Sequence, residues 1–131
     1  MTEACDPLSE QLALHEAGHA VAAVALGFAV SQVRFEELAD DEWVGETIST
    51  AAHVVPSDPN WVRRRDAAVV ALAGREARRI KYPEYDRDWL PFERNDELRA
   101  RHVLGVSESD AQAALDPIAA QAQQLVFAHR V

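Results

Sequence analysis

The pentapeptide His15-Glu16-Ala17-Gly18-His19, inside the stretch LALHEAGHAVA, constrains this chain more than any other feature. On a helix, residues four apart stack on one face, so both imidazoles point the same way. Glu16 follows His15 by about 100° of helix rotation and still reaches a water held by the pair. Two neutral imidazoles with a carboxylate beside them suit a zinc ion whose water needs a general base. That chemistry requires a helix, and the flanking residues predict one. Asp6 is a good N-cap, Pro7 suits the first helical position, and Gly27 is the expected C-terminal stop. Gly18 costs about 1 kcal/mol relative to alanine in a helix interior, so close packing against another backbone is expected there.

A catalytic zinc needs a third protein ligand, with water in the fourth position. By residue type the candidates are Asp66, Glu76, Glu93, Asp96, His53 and His102. Helical spacing puts Glu76 on the apolar face of its segment, beside Val69 and Ile80. An acid there needs a partner, whether a metal, a ligand histidine or an arginine. Spacing alone does not choose between Glu76 and Asp96.

The remaining segments predict an α+β fold, mostly helical with a small sheet, in one domain over residues 1–131. SQVRF and EWVGETIST read as two strands separated by the acidic turn EELADDE. The segment from Asp58 to Tyr82 repeats the Asp-Pro helix start and carries an apolar stripe through Val62, Val69, Ala73 and Ile80. PEYDRDWLPFER reads as a loop, and NDELRARHVLG as a short helix entered at Asn95. The C-terminal segment reads as helix with a break or restart at Pro117. Tyr82, Tyr85, Trp89 and Phe92 are read as anchoring their loop to the core, with a side-chain pocket or a cover for the cleft as the other reading.

Composition excludes several function classes. The net charge of -9 argues against sequence-independent nucleic-acid binding, which needs a basic face. The run Arg63 to Arg65 reads as a solvated helix face. Cys5 is the only cysteine, which rules out an intrachain disulfide and a cysteine-rich zinc site. The longest uncharged apolar run, Ala20 to Val30, is too short to span a bilayer. Glu3 and Asp6 stand where a signal peptide is basic, so the expected location is cytoplasmic, with no membrane partner. No Walker-type phosphate loop is present.

HEAGHAV, VGETIST, ALAGREARRI and RNDELRARHV occur in an order that resembles the peptidase domain of the FtsH family of zinc metalloproteases. The likeness runs from about Leu12 to Leu104 and is most specific in its first block. It implies a zincin-like domain in which His15 and His19 are paired Zn2+ ligands, Asp96 is the third ligand and Glu16 is the catalytic base. Arg78 and Arg79 stand where the family has an acidic pair, and WLPFER replaces its usual approach to Asn-Asp. No residues match the family's ATPase module, so the resemblance implies ATP-independent hydrolysis of peptides or unfolded protein. The edge of the strand Trp43 to Thr50 is the expected cleft rim, where an extended peptide adds as a further strand. Gly45 there either admits a substrate backbone or marks a bulge. The alternative is a binding or regulatory module that keeps the fold, and the metal with it, without proteolysis.

Overall fold

The helix Trp61–Lys81, here α2, is the element around which the others assemble. The computed structural model describes residues 7–40, 42–83 and 91–129. Asp6, the expected cap of the first helix, lies outside them, as do Cys5, Tyr85, Trp89 and the side chain of Phe92. The architecture is mostly helical with one small antiparallel sheet, an α+β arrangement.

α2 starts later than its Asp-Pro sequence suggests. Asn60 is the N-cap and its side chain accepts from the Arg63 amide at 3.1 Å. Asp58 accepts from the Asn60 amide at 2.8 Å, so it orders the approach rather than capping the helix. Every residue from Ala67 to Arg78 is buried. The expected single stripe is therefore corrected: Val69 and Ala73 are fully buried, but Val62 is 61% and Ile80 37% exposed. A helix covered on all sides by neighbours needs no polar face along its middle. Its buried charges, Arg75, Glu76 and Arg78, must then find partners within the protein.

Three helices supply the cover: α1 (Pro7–Ala25), α3 (Pro91–Leu104) and α4 (Ala111–Ala128). α1 approaches α2 closely because Gly18 lies on Ala73; a Cβ there would sit 2.4 Å from the Ala73 carbonyl oxygen. Close packing is thus the role of that glycine. α1 stops at Gly27, whose φ of 86° lets Phe28 bond back to the Ala23 carbonyl and Gly27 to that of Val24. α4 lays Leu115, Ile118, Ala122 and Val126 into the core as one helical stripe. It runs unbroken through Pro117, so the expected break does not occur. Buried residues on both sides of the proline hold the helix together where one intrahelical bond is missing.

The sheet is the hairpin of β1 (Val30–Ala39) and β2 (Glu42–Ser49), packed on α1. β1 extends through Glu36, Glu37, Leu38 and Ala39, residues expected in the turn. Pairings such as Glu36 with Val44 and Glu37 with Trp43 continue the ladder. Arg34 offsets the acidic residues, donating to Glu36 at 3.1 Å and lying 3.7 Å from Glu46. α3 begins at Pro91, four residues before Asn95, which places Asp96 in its second turn. None of the described helices is long and apolar enough to cross a membrane.

Candidate metal centre

His15 and His19 stand one turn apart on the face of α1 that meets α2 and α3, their rings 4.5 Å apart and edge to face. Their Nε2 atoms are 2.9 Å from each other. Asp96, from α3, brings Oδ2 to 2.8 Å from His15 Nε2 and 3.1 Å from His19 Nε2. Among the described residues this is the single group of three or more side chains that could hold a metal ion.

The outer ring nitrogens decide what this cluster can bind. His19 Nδ1 donates to the Val70 carbonyl at 2.7 Å, because a carbonyl only accepts. His15 Nδ1 lies 3.1 Å from Glu93 Oε2. Arg78 grips that carboxylate with two bonds of 2.7 Å, from Nε to Oε2 and from Nη2 to Oε1. Burial pushes the Glu93 carboxyl up, but the hydrogen bonds to His15 and Arg78 outweigh it, so Glu93 is ionised and His15 Nδ1 donates. With both Nδ1 positions committed as donors, each neutral ring turns a lone pair inward from Nε2. Two such nitrogens and a carboxylate oxygen, all within 3.1 Å of one another, need a cation among them. A proton on one ring is one solution and a divalent metal is the other.

The charges show the same pull. Burial alone would lower the His15 pKa, but hydrogen bonds to Asp96 and Glu93 and their charges raise it to about 9. Burial would raise Asp96, and the bonds to His15 and His19 instead hold it down at about 2. The donor set fits a divalent ion that accepts nitrogen and oxygen ligands.

Glu16, also buried, turns from α1 toward β2. Its Oε1 lies 2.7 Å from Thr47 Oγ1, which is also 3.1 Å from the Glu16 carbonyl oxygen. Gly45 makes room for this carboxylate: a Cβ at that position would sit 2.7 Å from Glu16 Cγ and 3.0 Å from Oε2. Gly45 pairs in register with Phe35, so it is not a bulge. Gly74 plays the corresponding part under the histidines, where a Cβ would meet His19 Nε2 at 2.7 Å and the His15 carbonyl oxygen at 2.8 Å.

The other candidates lie elsewhere. Glu76 is buried against its own arginines, 3.0 Å from Arg75 Nε and 3.4 Å from Arg79 Nη1. Its partner is therefore arginine and not the metal group. Glu93 stands behind His15 instead of joining the group. His53 and His102 are exposed, and Asp66 is half-buried. Tyr82 donates its hydroxyl to Glu10 at 2.5 Å and ties the end of α2 to the start of α1. The Arg63–Arg65 run is more than a solvated face: Arg63 lies over the Phe28 ring, and Arg64 donates to the carbonyls of Val103 and Leu104 at the end of α3.

Sequence reasoning missed the Arg78–Glu93–His15 chain. The available signal was Glu93 and Asp96 at a spacing of three, one helix face, had the helix been started at Pro91. Arg78 reads as a departure from the FtsH pattern, yet it is the buried counter-ion of Glu93. Neither a protein-family model, a curated protein nor a solved structure matches this chain.

Proposed function

We propose that this chain is a zincin-like zinc metallopeptidase of the FtsH type that hydrolyses peptide bonds in flexible or unfolded chains without ATP. The observation that carries the reading is the convergence of His15 Nε2, His19 Nε2 and Asp96 Oδ2, with Glu16 one residue along the same helix. Zinc held by those three side chains supplies Lewis acidity toward a water and toward the carbonyl of the bond to be cut.

The chain's own residues do the rest. Glu16 accepts a proton from the attacking water and passes it to the leaving amine, the usual double duty of a general base. Thr47 and the space left by Gly45 fix that carboxylate toward β2. Glu93 and Val70 hold the two imidazoles so that each offers Nε2 inward. Arg78 keeps Glu93 charged in a fully buried position. Thr47 and Ser49 of β2 border the cavity beside His19, which supports that strand as the rim along which a peptide lies.

The test pairs metal content with turnover. Protein purified without added metal should carry near-equal zinc by elemental analysis and should degrade casein equally with and without ATP. Glu16→Gln should keep the metal and lose the degradation. Protein that never takes up zinc would overturn the reading, and zinc-loaded protein that cuts no peptide would favour the binding or regulatory module.

A further inference from the structure

We propose that the cavity beside the metal group receives a carboxylate of the substrate, bound by Arg99. This inference rests on the peptidase reading and names the substrate chemistry that site selects. The cavity has a volume of about 120 Å³ and is bordered by His19, Asp96 and Thr47 at the metal end. Ala51, Ala67 and Val70 give it short apolar walls, and Arg99 completes it. A space of this size with small walls suits one short side chain or the end of a chain.

Arg99 is placed for that role by its own helix. It follows Asp96 by three residues on α3, so both project from one face toward the same cavity. Its Nη2 donates to the carbonyl oxygens of Ala51, Ala52 and Val54, which fixes the guanidinium against the short 3-10 turn Thr50–His53. Those three acceptors are neutral. Arg34, Arg63, Arg75, Arg78 and Arg79 each lie against a carboxylate, whereas Arg99, like Arg64 and Arg101, has none among the described residues; of these three only Arg99 lines the cavity. Its Nε and Nη1 make no hydrogen bond there either. An oriented guanidinium with Nε and Nη1 open, lining a small cavity next to the cutting site, is placed to donate to an anion there. In a peptide that anion is either an Asp or Glu side chain or the C-terminal carboxylate.

Peptide binding to the zinc-loaded Glu16→Gln chain separates these cases, because turnover is not the readout. Four labelled alanine-based peptides of equal length serve as probes: amidated with a central Asp, amidated with a central Asn, amidated and neutral, and neutral with a free C-terminus. Fluorescence anisotropy should show the Asp peptide or the free-terminus peptide binding about tenfold or more tightly than the neutral amide, the scale of a hydrogen bond to a charged group. The arm that gains identifies the source of the carboxylate. Adding Arg99→Gln should erase the gain, and Arg99→Lys should keep part of it, with melting temperature and zinc content checked for both. The Asp-to-Asn comparison within the peptide makes the same point without altering the protein. Equal binding of all four, no binding at all, or a gain that survives Arg99→Gln because the metal itself holds the carboxylate, overturns the inference. Casein cleavage by the unsubstituted protein tests the peptidase reading separately, and cleavage without any carboxylate preference overturns this inference alone.

Discussion

At the scale of single residues, the site separates the three side chains that could hold a metal ion from the groups that hold those side chains in place. Under the proposed function Asp96 is the third donor, so Asp96→Asn keeps the shape, removes the charge and should cost most of the zinc affinity. Glu76→Gln should leave zinc bound, because Glu76 faces Arg75 and Arg79. Competition with a chelator measures both, and loss of metal only in the Glu76 variant would reverse the ligand assignment. Glu93→Gln is the more informative change. The new amide could still face His15, but Arg78 would lose the two charge-assisted bonds it makes to that carboxylate. Zinc affinity should fall about 10–100-fold, as for other changes behind a ligand histidine. Breaking this buried ion pair should also cost stability, about 3–5 kcal/mol at most. Denaturant unfolding of the metal-free protein reads that second effect independently of the metal.

At the scale of elements, the sequence was most legible where local chemistry and burial agree. The α1 helix follows from its histidine spacing and its glycine stop, and the structure places both there. The ends of β1 and α3 were not legible, for different reasons. Glu36 and Glu37 look like turn residues until Arg34 and the ladder to β2 are known, so cross-strand pairing overrides local preference there. Pro91 looks like a loop residue, but proline suits the first position of a helix as well as a loop, so local chemistry does not decide. The same holds for the site: His15, His19 and Asp96 could be named from pattern and resemblance, but the Arg78–Glu93 pair joins residues 15 apart in sequence that belong to two helices. Pro117 offers a test on α4. Because the helix passes through it, Pro117→Ala should restore an intrahelical bond and raise stability by about 1–3 kcal/mol, measured by urea unfolding. No gain would mean that the strain is absorbed elsewhere. Gly74→Ala should act in the opposite sense, weakening zinc binding and the α1–α2 contact together, because the added methyl meets His19 Nε2.

At the scale of the whole molecule, one partly buried cluster links folding to protons and, under the proposed function, to metal. The groups that set its charge are Asp96 and Glu93 from α3, His19 from α1 and Arg78 from α2, all facing or backing His15. His15 has a folded pKa of about 9, above its ordinary value of 6.5. Its contribution to the metal-free fold is therefore fully present below about pH 6.5 and is lost as pH rises through 9. The slope reaches at most about 1.4 kcal/mol per pH unit for one proton. Asp96 works in the other direction: its carboxyl is held at about 2 against an ordinary 3.8, so its contribution is present above that value and is lost as pH falls toward 2. Zinc bound as proposed must displace the His15 proton, so its affinity for the folded chain should rise over the same range in which the metal-free fold weakens. The two slopes offset each other. Melting temperatures taken from pH 6 to 9 should fall for the metal-free protein and stay nearly level in chelator-buffered zinc, so the shift due to zinc widens with pH. Asp96→Asn should flatten the metal-free profile, because it removes one of the two carboxylates that raise His15. A zinc-dependent shift of constant size across that range would mean that the metal displaces no proton there, and that His15 is not the group joining stability to metal binding.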